Sequence, residues 1–369
     1  MSLFVIEPRD TLILRDGRPF DDSPGRTIAM PWPSSVAGLL RARVGSNRDG
    51  KFDHPSPSEL LSSVSMLGPW LAQLNDQGEA TKLFFPTPLD AMWERDESVS
   101  VDSKRVRVRL ECIATPEGCE TDLASLLELV GIPATRPREA SKSAAAPAFY
   151  SSDAMATWLT QPMEVGVVGG DEFLEPLEKE RRMHSVPGEL GTVTDGNLFG
   201  SEGLRFTRTE TLKLSSASRF GLAAFSTAEE LTSRGGLCVL GGERRISFFR
   251  PTALKLPTRP SIELDARRRL RIVLTTPVVF AEGAVPKAIR GAKVVAACVG
   301  RPEVVSGWDM VRNAPKPTRW MAPAGSVYWV QVPESIDWSA YIDLVWMKSI
   351  SENEQDARDG FGVALVGVP

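Results

Sequence analysis

The chain has 369 residues, 42% hydrophobic and 24% charged, enough apolar material to bury the cores of two domains. No run of about 18 apolar residues occurs, which argues against a membrane-spanning helix, and Met1–Asp10 has neither the basic start nor the apolar stretch of a secretory signal, so a cytoplasmic protein is expected. The net charge is −4, and 2 histidines with 4 scattered cysteines support neither a histidine-built metal centre nor a disulfide framework, so no metal, no cofactor and reduced thiols are expected.

Leu3–Ile6 is an apolar run ending at Glu7-Pro8, a first strand. Asp16-Gly17 marks a turn, and the polar stretch to Arg26 reads as loop. Ser34 or Ser35 caps a helix reaching Val44, with Val36, Leu39 and Leu40 on one face, Gly45 as its stop, and Arg41 and Arg43 projecting from it. A second helix is expected over Ser58–Ser63, then strands over Val64–Leu74 and Lys82–Phe85 around a turn at Asn75–Gly78. Arg105–Cys112 alternates strictly, the pattern of one strand with a charged face. Pro133–Pro147, rich in Pro, Ala, Ser and charge, reads as an exposed insertion, with a flexible segment over 133–149. Asp153–Gln161 reads as a helix. Asp171–Glu180 is acidic and is followed at once by Arg181, Arg182 and His184.

Strands are expected over Leu204–Leu214 and Arg219–Phe225, a helix over Thr227–Arg234, and strands over Leu237–Leu240 and Arg245–Phe249 around Gly241-Gly242. Further on, strands are expected at Arg269–Phe280, Val294–Val299, Ser326–Val332 and Phe361–Val366, with helices at Val285–Arg290 and Trp338–Met347. The order strand, helix, strand, strand, helix, strand is the ferredoxin-like plan. The expected fold is therefore α+β: two tandem ferredoxin-like (RRM-like) domains, residues 1–253 with a large insertion and residues 254–369 ending in a glycine-rich element.

The opening Glu7-Pro8-x-Asp10-Thr11-Leu12-x-x-Arg15-Asp16-Gly17-Arg18-Pro19-Phe20 resembles the family of third Cmr subunits, RAMP proteins of type III-B CRISPR effector complexes. Further pieces follow in that family's order: Ala37-Gly38-x-x-Arg41, Gly68-Pro69-Trp70-Leu71, and Phe85-Pro86-x-Pro88-x-Asp90. Glu180-Arg181-Arg182 with Gly196-x-Leu198-Phe199, Leu240-Gly241-Gly242-Glu243-Arg244-Arg245, and Gly360-Phe361-Gly362-x-Ala364-Leu365-x-Gly367 complete the series. Arg182-Met183-His184 departs from the family's more hydrophobic, glycine-containing stretch, and the Pro133–Pro147 insertion has no counterpart there. The resemblance implies a scaffold at the foot of a ribonucleoprotein. Its partners would be the repeat-derived 5′ tag of the guide RNA, the large polymerase/cyclase-like Cmr subunit and the first backbone RAMP subunit, with no membrane involved. Target cutting and guide processing would belong to other proteins, so the chain is not expected to be an enzyme.

Arginine outnumbers lysine 32 to 11, and its planar fork suits phosphate. Arg15, Asp16, Gly17 and Arg18, with Arg41 and Arg43, can meet at one sheet edge and bind RNA; the alternative is a solvated surface of pairs with Asp16, Asp21 and Asp22. Gly241, Gly242, Arg244 and Arg245 allow a phosphodiester to approach bare amides, or form a bulge or hairpin turn. Gly360, Phe361 and Gly362 partly match an RNP1 motif that stacks a base, or form a structural glycine loop. Arg105, Arg107 and Arg109, and Arg267, Arg268, Arg269 and Arg271, line an RNA path or a solvated face. Arg181, Arg182 and His184 join the RNA-binding set. Two rival functions stand beside the scaffold: a metal-independent RAMP endoribonuclease processing guide precursor with His184 as base, and a protein-only adaptor.

Overall fold

The apolar N-terminal run becomes Ser2–Pro8, a strand buried along most of its length. The computed structural model describes residues 2–15, 27–47, 49–95, 105–115, 117–121, 123, 127–133, 143–161, 171–187, 193–209, 217–262, 267–309 and 313–369. Asp16, Gly17 and Arg18 lie outside these residues, as does most of the proposed flexible insertion.

The chain divides into two compact units. The first is Met1–Lys82, Pro176–Leu254 and Val304–Arg319; the second is Leu83–Glu175, Lys255–Glu303 and Trp320–Pro369. The sequence expectation put residues 1–253 in one domain with insertions, whereas here Leu83–Glu175 belongs to the second unit and Val304–Arg319 to the first. The reason lies in long-range pairing: Asp90 meets Arg271, Glu128 meets Arg269, and the Leu89 N–H donates to the Gly325 carbonyl at 2.8 Å, all inside the second unit.

In the first unit Ser2–Pro8 pairs antiparallel with Ala217–Ser226 on one side and Ile246–Thr252 on the other. Met66–Leu74 extends the sheet beyond Ala217–Ser226, and Gly236–Val239 extends it beyond Ile246–Thr252. Numbered by chain order, the four long strands stand fourth, first, third, second. Phe4 stacks on Phe249 with ring centroids 5.0 Å apart, and Ile6, Leu222 and the helix residues Val36 and Leu40 are buried. That helix is Pro33–Gly45, and no side chain caps it: Pro33 opens it after Trp32, in place of the expected Ser34 or Ser35 cap. Proline suits this position because its φ is already helical and it lacks an N–H that would go unpaired. The expected helix over Thr227–Arg234 is a short 3₁₀ segment, Glu229–Ser233. The acidic-to-basic stretch forms the strand Lys179–Pro187, which pairs with Val193–Leu204.

In the second unit Arg269–Leu274 pairs antiparallel with Val327–Gln331 and with Val363–Gly367, while Ala292–Cys298 pairs with the outer side of Val327–Gln331. The order is again fourth, first, third, second. The first crossover differs from expectation. Val285–Arg290 is not helical; Pro286 precedes the short strand Ala288–Ile289. The second crossover carries the helix Trp338–Val345, whose N-cap Asp337 accepts from the Ala340 N–H at 2.7 Å.

The alternating Arg105–Cys112 run forms two strands. Arg105–Arg109 pairs with Ala91–Arg95, and Glu111–Ile113 pairs with Leu129–Gly131. They break at Leu110, whose N–H donates to the Asp90 carbonyl at 2.8 Å. No helix among the described residues is long and apolar enough to cross a membrane. Cys112, Cys238 and Cys298 are half-buried free thiols, and burial pushes them up to about 11, 11 and 12 respectively; Cys119 is free and exposed.

Candidate nucleic-acid interface

Three segments of the first unit meet just past the end of its central strand. The first is Arg9–Ile13, which continues Ser2–Pro8. The second is the Lys179–Pro187 hairpin, fastened to it by reciprocal backbone bonds between Leu12 and Leu204 of 2.9 and 2.8 Å. The third is the turn at Gly241–Arg245, which joins Gly236–Val239 to Ile246–Thr252.

The turn reading of the Gly-Gly motif is the one realised. The Leu240 N–H donates to the Arg245 carbonyl at 3.0 Å, and the Gly242 N–H donates to the Ile13 carbonyl at 2.7 Å. Gly241 has φ +80°, and a Cβ there would stand 2.8 Å from the Ile13 oxygen. Gly241→Ala is therefore expected to destabilise the first unit by about 1–3 kcal/mol, read as a lower thermal midpoint with retained secondary structure. Glu243 (φ 55°) and Arg244 (φ 52°) follow in the left-handed region. Arg244 is exposed, and no acid among the described residues pairs with it.

Arg182 and Arg245 converge on Asp10. Arg182 donates from both Nη atoms to the two Asp10 oxygens at 3.1 and 2.8 Å, and Arg245 shares Oδ2. Arg182 Nε donates to Glu180 at 2.7 Å, and Arg245 Nη2 donates to Glu243 at 2.8 Å. Two cations thus face three carboxylates, a local charge of −1. The Arg182 hydrogen bond leads the effects that hold the Asp10 carboxyl at about 2, below its ordinary 3.8.

A depressed folded pKa adds stability above the unfolded value, and that stability is lost as pH falls. The Asp10 contribution is thus complete above about pH 4 and disappears between about pH 4 and 2. Asp10 is 40% exposed, so the increment is discounted to below about 1 kcal/mol. Asp10→Asn should flatten that part of the acid unfolding curve and leave the neutral fold intact, as checked by thermal melts from pH 2 to 7.

The sequence placed Arg182 and Arg245 among RNA ligands, but all three nitrogens of Arg182 and both Nη atoms of Arg245 donate to the protein's own acids. Arg181 differs. It is 84% exposed and touches Glu202 through Nε at 3.2 Å. Buried Glu202 also accepts from Lys179 Nζ at 3.0 Å and the Thr27 N–H at 3.2 Å. Arg15 is exposed, and its backbone forms a bridge with Thr27. His184 Nε2 is 2.7 Å from the Ser201 hydroxyl.

Other candidates hold the fold together. Arg41 is buried and donates to the Leu60 and Val64 carbonyls, both at 3.1 Å, tying its helix to the end of Pro57–Ser63. Arg43 donates to the carbonyls of Arg234 and Leu237, at 2.7 and 2.8 Å from Nε and Nη1. In the second unit Phe361 is 1% exposed, so its ring offers no face to a base. Gly360 is the left-handed cap of Glu354–Asp359, which is the structural-loop alternative. Arg105 pairs with Glu175, Arg269 with Glu128, and Arg271 with Asp90. Arg107 is 2% exposed, with its guanidinium 4.4 Å from the Trp158 ring centre. Arg268 donates to the Val332, Pro333 and Ile336 carbonyls.

Sequence reasoning missed Asp10 as the organiser of this site, although it stands in the opening motif. It also missed Glu7, a buried carboxylate that accepts from Arg219 and Arg250. A lone acid at the end of an otherwise apolar strand was the available signal.

The fold and this site define an α+β protein whose first sheet ends in a cluster of arginines and carboxylates. Exposed guanidinium groups on its rim have the chemistry to bind phosphate oxygens. A model of the family CRISPR-associated protein (Cas_Cmr3) matches residues 4–369, and the chain belongs to that family, making it a CRISPR protein of the type III-B Cmr system. No curated protein matches the chain. Among solved structures, a chain of the cryo-EM structure of the type III-B Cmr-beta bound to cognate target RNA is similar, with TM-score 0.48 and 15% identity over 93% of this chain and 88% of that one. A second, from the same complex bound to cognate target RNA and AMPPnP in state 1, has TM-score 0.48 and 14% identity over 93% and 88%.

Proposed function

We propose that this chain is a non-catalytic RNA-binding subunit of a type III-B Cmr ribonucleoprotein. It anchors the 5′ tag of the guide RNA and joins the large polymerase/cyclase-like subunit to a backbone RAMP subunit. The observation that carries this reading is the family match over residues 4–369. Each unit is read as a ferredoxin-like domain; the shared strand order, with antiparallel neighbours in both sheets, supports it.

The RNA contacts fall to the exposed cations Arg181 and Arg244 rather than to Arg182 and Arg245. Phosphate contacts of this kind fix register, and tag specificity then comes from splayed bases read on their edges. In this reading His184 is a structural residue, hydrogen-bonded to the Ser201 hydroxyl, rather than a general base. RNA cleavage by a general base also needs a cation placed for the phosphorane.

The test is co-expression of the tagged chain with its neighbouring operon proteins and a repeat array, followed by ultraviolet crosslinking. Crosslinks from the 5′ tag to peptides around Arg181 and Arg244 are the expected result. An intact complex with RNA crosslinked only to other subunits would reduce this chain to a protein adaptor. Cleavage of repeat RNA by the purified chain in EDTA, abolished by His184→Ala, would instead make it the processing enzyme.

A further inference from the structure

We infer that the outer hairpin of the first unit, Gly236–Val239 with Ile246–Thr252, is a docking face for a neighbouring protein chain that offers apolar side chains bordered by carboxylates. The inference rests on the reading of this chain as a subunit of an assembly, and it adds the surface and the chemistry of the partner.

The register puts the residues together. Val239 lies opposite Ile246, and Leu237 lies opposite Phe248, so all four share one face. Leu237 is 66% exposed, Val239 53% and Ile246 50%. Large aliphatic groups scattered singly over a surface need no explanation, but neighbours on one strand pair form a contiguous patch. On the opposite face of the same hairpin Ser247 and Phe249 are inaccessible and Cys238 is half-buried, so the exposed stripe is not a consequence of a loosely packed hairpin.

The rim of the stripe is cationic. Arg9 continues the neighbouring strand, its N–H donates to the Ile246 carbonyl at 3.0 Å, and its guanidinium lies 5.4 Å from the Phe248 ring centre. Its nearest carboxylate, Glu7, is 3.8 Å away and already accepts from Arg219 and Arg250. Three guanidinium groups, those of Arg9, Arg219 and Arg250, thus share the Glu7 carboxylate beside the stripe. An apolar stripe edged by Arg9 and Arg250 is complementary to an apolar partner surface carrying Asp or Glu at its border.

The geometry favours protein over nucleic acid here. Bases stack on aromatic rings, whereas the exposed groups are branched aliphatics. The one aromatic, Phe248, already carries the guanidinium groups of Arg9 and Arg250, the latter at 4.7 Å. The partner packs on the face rather than adding a strand, because Arg43 Nη1 occupies the Leu237 carbonyl at 2.8 Å.

The test uses the complex co-expressed with its operon proteins and guide RNA, with a photo-crosslinking residue placed at position 237 or 246. A crosslink to one protein subunit is expected. The Leu237→Asp/Val239→Asp variant should lose that subunit from the purified complex at least tenfold, while the thermal midpoint of the isolated chain is unchanged. Arg9→Glu should weaken the same association, with rescue by higher salt, since salt screens the new repulsion. Crosslinks to RNA alone, to a second copy of this chain, or to nothing in an intact complex would overturn the inference. A wild-type chain that captures neither operon proteins nor RNA would reject the assembly reading itself.

Discussion

Replacing Arg271 with leucine is expected to cost the second unit about 3–5 kcal/mol, the largest single-site loss of stability in this protein. Arg271 and Asp90 are both 0% exposed and form a direct ion pair. The other two guanidinium nitrogens are engaged as well: Nε donates to the Val368 carbonyl at 2.5 Å and Nη2 to the Trp158 carbonyl at 2.8 Å. The second Asp90 oxygen accepts from Trp158 Nε1 at 3.0 Å. One arginine therefore joins the sheet strand Arg269–Leu274, the helix Ser152–Thr160 and the C-terminal end of Val363–Gly367.

Leucine would leave a buried carboxylate without its counter-charge and two carbonyls without donors. Asp90 and the hydrogen bond to the Trp158 carbonyl are buried away from water. The double variant Asp90→Leu/Arg271→Leu should recover much of the loss, because a well-filled apolar pair avoids the desolvation of both charges. Denaturant unfolding followed by tryptophan fluorescence reads this directly, since Trp158 lies against the pair. A single-variant loss below about 1 kcal/mol would mean that the pair contributes no more than an exposed one.

This pair also shows where the sequence could be read and where it could not. Apolar periodicity located Ser2–Pro8, Pro33–Gly45, Met66–Leu74 and Ala217–Ser226 to within a few residues, and their order implied the shared sheet plan. Those signals are local. The partners of Arg271 are not: Asp90 is 181 positions away and Trp158 is 113. A strictly alternating Arg-Val-Arg-Val-Arg run reads as a strand with a wet basic face. Here Trp158, Tyr150 and Phe173 close over Arg107, and nothing between positions 105 and 109 announces them.

The same holds at the arginine cluster. Arg182 and Arg245 sit in basic runs that resemble phosphate ligands, yet the acid that engages both is Asp10, 172 and 235 positions away. Their neighbours Arg181 and Arg244 are more exposed, for local reasons. Alternation along Lys179–Pro187 turns Arg181 to the side opposite Arg182, and Arg244 is an exposed residue of the left-handed turn before Arg245.

That division yields the second large expectation, which is functional and depends on the RNA-binding reading. Arg181→Ala and Arg244→Ala are each expected to weaken binding of tag-bearing RNA about tenfold at low salt, the equivalent of one charge-assisted hydrogen bond of roughly 1.5 kcal/mol. Each should also reduce the slope of log affinity against log salt by about 0.7, the value for one contact to a single strand. Arg182→Ala should behave differently. Its donors are satisfied by Asp10 and Glu180, so its removal should lower thermal stability and leave the salt slope nearly unchanged. Filter binding or fluorescence anisotropy across a salt series, on the assembled complex carrying each variant, separates the two behaviours. Equal losses of slope at Arg181 and Arg182 would mean that RNA displaces Asp10 from the fork, and the internal carboxylate would then act as a competitor for phosphate rather than as a fixed strut.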